Sequence, residues 1–310
     1  MVPVTMSENI EALGATDDQV LPFALENHPI RGRVVRMGPV LDDILHAHDY
    51  PDPVAHLLGE AVLIAILAGS SLKFEGRLII QVSGDGPVSL VLVDYSTKGG
   101  VRGYARYDEA ALAKLDGLTP DLGQLMGKGR FALTIDPGDA AERYQGVVAL
   151  KGKDLATSAI GYFASSEQLP THLHASIARL TNADGTKSWR GGGAIMQLIA
   201  GQSGDDEAKD AQWDHVSALF ETISADELTD PQLSAGTLLY RLFHEDGVRI
   251  FEGSPLHKRC PCTPDYLRSV LSQFPKEEHD GMTEEDGRIR MTCAFCSKDF
   301  FFTPEEISTT

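Results

Sequence analysis

Apolar residues change their period several times along this chain. Up to about Asn27 they follow no clear period, and the segment reads as an acidic, partly disordered leader covering residues 1–27. From Arg31 the pattern sharpens. RGRVVRM predicts a strand, and VLDDILHAH (Val40–His48) predicts a short helix closed by the Asp49-Tyr50-Pro51 turn. Val54–Leu72 follows as a long helix, with Leu57, Leu58, Ala61, Val62, Ala65, Leu67 and Ala68 among its apolar positions. From Ala61 onward it is apolar nearly all round, the mark of a helix buried in a core.

Beyond it the period becomes two. RLIIQVS (Arg77–Ser83) and VSLVLVD (Val88–Asp94) flank Gly84-Asp85-Gly86-Pro87. Asp-Gly between two such runs is a hairpin signal, because glycine accepts the positive φ of a tight turn. Val101–Tyr107 adds a third strand, and Arg130–Asp136 with Tyr144–Leu150 forms a second hairpin around Asp136-Pro137-Gly138. Asp154–Gln168 reads as helix and Thr171–Leu180 as strand. The fold class is α+β: residues 28–201 form a core domain whose antiparallel sheet has helices packed against it.

Near Gly201 the character shifts again. Gly204–Pro231 carries nine acidic residues against one lysine, Lys209. Trp213, Val216, Leu219, Phe220 and Ile223, then Leu238, Leu239, Leu242 and Phe243, keep helical spacing. Ser224 with Glu227 three residues later has the form of a helix-capping box. This amphipathic stretch is too short to own a core, so it must pack on something else. Residues 202–254 read as a helical linker and 255–310 as a small C-terminal domain.

The 310 residues carry 27 Lys+Arg against 45 Asp+Glu, a net charge of −18. That weighs against nucleic-acid partners, whose phosphates are neutralised by Lys and Arg. The longest apolar run, Ala61–Ala68, is far short of the roughly 20 residues that span a bilayer. The first thirty residues hold five acidic residues and no Lys or Arg, the opposite of a secretory leader. A cytoplasmic protein without membrane or nucleic-acid partners is expected.

The chemistry gathers at the end of the chain. All four cysteines lie there, Cys260 and Cys262 as C-x-C, then Cys293 and Cys296 as C-x-x-C. Generic buried cysteines would scatter through the core. Four structural thiols, an iron–sulfur cluster and a zinc site of four thiolates in a closed tetrahedron all compete, and zinc fits two close pairs best. His257 and His279 could substitute as ligands but are unnecessary beside four cysteines. The domain's apolar content is one short helix, Tyr266–Phe274, plus Ile289, Met291, Phe295 and Phe300–Phe302. Below about 40–60 residues a fold usually needs a metal or disulfide staple. A C-x-C pair also sets two thiols close enough for local disulfide formation, and oxidation of zinc-bound thiolates ejects the metal. The spacing therefore suggests a redox-labile zinc site.

HKRCPCTPDYLRSVL and DGRIRMTCAFC resemble the zinc-binding end of the redox-regulated heat-shock holdases, the thirty-three-kilodalton heat-shock chaperone family. RGRVVRM, HDYPDPVAHLLGEA, LKFEGRLIIQVSGDGP, GYARYD, GYFASSEQLPT, GGGAIMQ and LLYRLFHEDGVRIFE extend the likeness from about Arg31 to Ile307. The resemblance implies zinc, one per chain, on Cys260, Cys262, Cys293 and Cys296. It implies oxidation to Cys260–Cys262 and Cys293–Cys296 disulfides, loss of the metal, unfolding of the C-terminal domain and loosening of the linker. The apolar surface so exposed would bind unfolding client proteins without ATP, as a homodimer when activated. Three features depart from the family pattern: Pro261 between the first two cysteines, Ala200 where proline is common, and the acidic N-terminal extension.

Other signals are weaker. Gly84-Asp85-Gly86 lacks the Lys-Ser/Thr of a phosphate-binding loop. His46, His48, His56 and Glu60 read as helix-surface or hydrogen-bonded residues rather than a metal or acid–base cluster. Ser165-Ser166-Glu167 shows no nucleophile elbow, and Glu167-Gln168 reads as a hydrogen-bonding pair at a helix end. No catalytic residues are found, so no enzyme is expected. The rivals are a thiol–disulfide oxidoreductase using Cys293 and Cys296, which lacks a strand-then-helix context, and a zinc-ribbon transcription factor, which the charge disfavours.

Overall fold

The computed structural model describes residues 12–72, 75–115, 119–138, 141–199 and 206–307. The chain divides into two compact units. One runs to His46 and resumes over Tyr50–Lys258; the other holds Ala47–Asp49 and the chain from Arg259 onward.

In chain order the first unit contains β1 (Gln19–Leu25), β2 (Ile30–Met37), α1 (Pro39–Leu45), α2 (Asp52–Gly69), β3 (Arg77–Gly84), β4 (Val88–Ser96) and β5 (Gly100–Tyr107). There follow α3 (Glu109–Leu112), α4 (Leu122–Met126), β6 (Gly129–Asp136), β7 (Tyr144–Ala149), α5 (Leu155–Tyr162), β8 (Thr171–Thr181) and β9 (Lys187–Leu198). It ends with α6 (Asp206–Phe220), α7 (Ala225–Thr229), α8 (Ala235–Phe243), β10 (Val248–Ile250), β11 (Ser254–Pro255) and β12 (His257–Lys258). One six-stranded sheet has the order β10-β1-β2-β9-β8, with β11 also on β1; the other runs β12-β5-β4-β3-β6-β7. All pairings are antiparallel except β12 with β5.

Helix α2 is the centre of this unit. Fourteen of its eighteen residues are buried, in one cluster with Val35, Leu173 and Ile195 of the first sheet and Ile80, Val93 and Phe131 of the second. By length and composition α2 could cross a membrane, yet its apolar surface is spent inside the protein.

The first sheet is buried on its other face too. In β9, Ile195 points to the α2 side while its neighbours Ala194 and Met196 join a second cluster; in β2, Val35 and Val34 divide the same way. That second cluster sets Leu21, Phe23 and Ile30 against Val216, Phe220, Leu228, Leu238, Leu239 and Phe243. Helices α6–α8, the first two acidic, therefore lie on an apolar sheet face, which supplies the core they lack. Ser224 caps α7 as the sequence indicates, with Ser224 and Glu227 each bonding the other's backbone N–H. Gly192 makes the fit possible: a Cβ there would stand 1.9 Å from the Leu228 carbonyl oxygen. The buried Arg36 guanidinium donates to the Asp230 carbonyl, tying β2 to the end of α7.

Two sequence expectations need correction. Gln19–Leu25 is a strand paired with β2 over its whole length, not part of an irregular leader. Leu21, Phe23 and Leu25 are buried and Pro22 and Ala24 half-buried, an alternation hard to see in the sequence because Val20, Pro22 and Ala24 are apolar as well. Residues 1–11 of that leader, and Ala200, lie outside the described residues. Lys187–Leu198, carrying the Gly191–Gly193 run, is a second unexpected strand. Glycine is a poor strand former, but the preceding Asp184-Gly185 pair, with Gly185 at φ +82°, is a hairpin signal that points to it.

The second unit contains α9 (Pro264–Leu271), α10 (Lys276–Met282), β13 (Ile289–Thr292), β14 (Asp299–Phe302) and α11 (Pro304–Ile307), with β13 and β14 antiparallel. Its buried apolar cluster is small: Leu267, Leu271, Ile289, Phe300, Phe302 and Ile307.

Candidate metal centre

The four cysteines sit on two short supports. Cys260 and Cys262 lie just before α9, whose first turn is capped by Thr263 Oγ1 accepting from the Tyr266 amide (3.2 Å). Pro264 opens the helix, with its φ already set. Cys293 and Cys296 occupy the turn between β13 and β14. There the Cys293 amide donates to Lys298 O (3.0 Å), the Ser297 amide donates to Cys293 O (2.9 Å), and Ser297 takes a left-handed φ of +56°. Below the turn, Thr292 Oγ1 donates to Asp299 (2.6 Å) and Arg290 pairs with the same carboxylate (2.7 Å). Leu267 and Leu271 on α9 pack on Ile289, Phe300 and Phe302 of the hairpin. That contact brings the pairs together.

All four Sγ atoms lie within 4.8 Å of one another. Cys260 and Cys293 are 3.5 Å apart, and Cys262 and Cys296 3.4 Å. Thiolates at about 2.3 Å from one tetrahedral ion stand about 3.8 Å apart, so the cluster has the size of such a site. The electrostatics agree. Burial, followed by the neighbouring Cys260, Cys296 and Cys293 thiols, pushes the Cys262 thiol above its ordinary range. Burial also raises Cys296. At Cys293 burial is outweighed by the Cys296 and Phe295 amides and by the Cys260 and Cys296 sulfurs, and the thiol falls to about 7. Four thiols this close cannot all ionise beside one another without a cation. Sulfur-only donors favour soft or borderline ions, and the group could hold one metal ion.

The histidines weighed as substitutes lie elsewhere. His257 is on β12 in the first unit. His279 is buried, and its Nε2 donates to Leu271 O (3.0 Å), holding α10 to α9. His46, His48, His56 and Glu60 do not form a metal-ligating group among the described residues. His56 packs edge-on against Trp189 at 5.2 Å. Glu60 accepts the Ala156 amide (2.8 Å) on the wall of a cavity of about 480 Å³ also lined by Leu122 and Ile177. Desolvation there lifts its carboxyl to about 7. Gly84-Asp85-Gly86 joins two strands, with Asp85 Oδ1 accepting the Lys128 amide (2.7 Å), and Glu167 accepts the Tyr162 hydroxyl (3.0 Å). The Cys293–Cys296 turn leads into a strand, unlike the strand-then-helix setting of a thiol oxidoreductase.

Together these features define an α+β protein whose large unit carries a helix-covered apolar sheet face and whose small unit gathers four thiols. The family model described as Hsp33 protein matches residues 18–303. It begins at the strand near Gln19 rather than after residue 27. Among curated relatives, the 33 kDa chaperonin of Caulobacter vibrioides (strain NA1000 / CB15N) is 49% identical over 293 residues, covering 94% of this chain and 96% of the relative. That of Pseudomonas paraeruginosa (strain DSM 24068 / PA7) is 37% identical over 292 residues, covering 94% and 93%. In fold, the crystal structure of the 33 kDa chaperonin (heat shock protein 33 homolog) from Thermotoga maritima matches with a TM-score of 0.75 at 22% identity, over 94% of this chain and 97% of that one. The chain belongs to the Hsp33 family.

Proposed function

We propose that this chain is a redox-regulated, ATP-independent holdase, kept inactive by one zinc ion on Cys260, Cys262, Cys293 and Cys296. The observation that carries the proposal is the four-thiol cluster in a unit with six buried apolar side chains among its described residues. Bound there, zinc supplies the cross-link that so small a core lacks; structural zinc contributes about 10–16 kcal/mol of apparent binding free energy in finger peptides.

Oxidation removes the ligands. In each close pair one thiolate attacks hypochlorous acid, taking chlorine as a sulfenyl chloride and releasing hydroxide. The neighbouring thiolate then displaces chloride and forms the S–S bond. Two oxidant molecules thus take four electrons and leave Cys260–Cys262 and Cys293–Cys296 disulfides. Without its ligand set the small unit unfolds. Chain connectivity carries the effect onward, because Cys260 is two residues past β12, and β10–β12 lead back to the acidic helices. As α6–α8 lift, the face bearing Leu21, Phe23, Ile30 and Met196 becomes available to unfolding client proteins. The acidic side chains of the freed stretch keep the opened form dissolved. The active form is a homodimer, the protein works in the reducing cytoplasm where free thiols persist, and residues 202–254 and 255–310 act as linker and switch.

The test is a hypochlorous acid titration following zinc, thiols and client aggregation together. Loss of four thiols and one zinc per chain while aggregation is suppressed without ATP is the expected result, with peptide mapping giving linkages within each pair. Cross-pair linkages, for which Cys260–Cys293 at 3.5 Å and Cys262–Cys296 at 3.4 Å are close enough, would overturn the disulfide assignment. Zinc loss without client holding would overturn the holdase reading, and a purified protein without zinc would reopen the iron–sulfur one.

A further inference from the structure

A second group of side chains of metal-ligating type lies in the large unit. His28 comes from the β1–β2 turn, His215 from α6 and Asp246 from the turn between α8 and β10. Both imidazoles donate from Nε2 to the same carboxylate oxygen, Asp246 Oδ1, at 2.8 Å from His28 and 3.1 Å from His215. The three donor atoms lie within 4.8 Å of one another. We infer that His28, His215 and Asp246 form a second site, for a borderline divalent transition ion such as Zn²⁺, that clasps helix α6 to the sheet.

Two of the ligands are held in place before any ion arrives. Leu25 of β1 pairs with Val248 of β10, and the Glu26 amide donates to Gly247 O at 3.0 Å. The Asp246 amide donates to Phe243 O at 3.1 Å. The turns bearing His28 and Asp246 are therefore locked together at one edge of the sheet. The side chains of His28 and Asp246 are 12% and 8% exposed, that of His215 56%. This gradient gives the geometry its direction: two buried ligands fixed on the sheet, and a third, open to solvent, carried by the helix laid over it. An ion can enter from the His215 side and keep a water in a fourth position, the usual arrangement when zinc has three protein ligands.

A carboxylate oxygen can accept two hydrogen bonds, and Asp246 Oδ1 takes both imidazoles, which gathers three metal-ligating atoms at one point. Zinc–ligand bonds of about 2.0–2.2 Å in a tetrahedron hold neighbouring donor atoms about 3.3–3.6 Å apart, so the two imidazole–carboxylate spacings need to open by only about half an ångström. Two imidazoles and a carboxylate suit Zn²⁺ far better than a hard ion such as Ca²⁺ or Mg²⁺. This set contains no sulfur, so thiol oxidants leave it intact. An ion here stabilises the form in which α6 is docked, and it falls away when α6 lifts. Under the function proposed above, free zinc would feed back on the switch that releases it.

The test uses the full-length reduced protein dialysed against buffered Zn²⁺, beside His215→Ala, a change at a solvent-open position, and His28→Gln as a second variant. Wild type is expected to hold one zinc per chain more than either variant. That difference stands whether or not the four-cysteine site is loaded, so its failure is separable from failure of the holdase reading. Co²⁺ substitution should give His215→Ala the absorption of the four-thiolate site alone, with the extra ion of wild type adding weaker ligand-field absorption and no further sulfur charge transfer. At Zn²⁺ 100-fold above the dissociation constant, opening of α6 seen by hydrogen exchange should slow about 100-fold in wild type and not in His215→Ala. Equal zinc content in wild type and both folded variants, or equal exchange with and without added Zn²⁺, would overturn the site.

Discussion

The cluster around α2 and the cluster under the cysteines are built from the same kinds of side chain, yet they hold their folds in different ways. Around α2, two sheets bury a helix that is apolar nearly all round from Ala61 onward. That cluster holds more than forty buried side chains, and each Leu, Ile, Val or Phe among them is worth roughly 1.5–3 kcal/mol when fully buried. The small unit buries Leu267, Leu271, Ile289, Phe300, Phe302 and Ile307 among its described residues. So small a core usually needs a staple, and the four thiols are placed where a metal ion would supply one. Between the two extremes stand α6–α8, apolar toward the sheet, with Asp214 of α6 and Asp226 of α7 exposed to water. A protein assembled this way can lose its outer layers while the core around α2 stays folded.

Removing the metal should break the contrast most severely. Cys293→Ser or Cys262→Ser, or chelation of the wild type, should unfold the small unit, at a cost of order 10 kcal/mol in apparent binding free energy, while α2 stays folded. Zinc content and the methyl resonances of Leu271 and Ile289 against those of Ile64 and Ile66 check this. Next in size is Phe220→Ala. It deletes a fully buried ring between α6 and the sheet and should cost about 3–5 kcal/mol. The reduced protein should then bind a hydrophobic dye and hold clients without oxidant, with its zinc still in place.

Glu60 tests the α2 side. Its folded pKa of about 7 lies above the 4.5 of the open chain because of desolvation. Between those values the unfolded carboxyl is ionised and the folded one still protonated, so the unfolded state binds fewer protons and stability falls as pH rises, levelling above about 7. At 1.36 kcal/mol per pKa unit the loss reaches up to about 3 kcal/mol. Glu60→Gln should flatten that part of the pH profile and stabilise the core at pH 8, measured by denaturant unfolding. The smallest effect is expected from Gly192→Ala. Its Cβ would meet the Leu228 carbonyl at 1.9 Å, so α7 must lift, costing about 1–3 kcal/mol. Faster exchange confined to Leu228–Asp230 would show it.

Much of this was legible in the chain. The all-round apolar α2, the Asp85-Gly86 hairpin and the capped start of α7 each have a local signature, and the cysteine spacing marks the four residues that the fold gathers. What escaped depends on contacts distant in sequence. β1 carries apolar residues at its half-buried positions too, which hides its alternation, and β9 hides behind three glycines crowded by distant residues, Gly191 by Leu41, Gly192 by Leu228 and Gly193 by the His174 carbonyl. His28, His215 and Asp246 are spread over more than two hundred residues with no spacing to link them. The acidic helices announced that they needed a surface, but not that the first sheet would be apolar on both sides.

The central claim is that the small unit and the helical layer open together while the core around α2 holds. The most direct measurement is hydrogen exchange by mass spectrometry on the reduced, zinc-loaded protein before and after hypochlorous acid. Exchange should rise together in Cys260–Ile307 and in Val216–Phe243, while Val54–Gly69 keeps its protection. If Val216–Phe243 stays protected once the small unit has opened, or if Val54–Gly69 opens with it, the layered switch is contradicted.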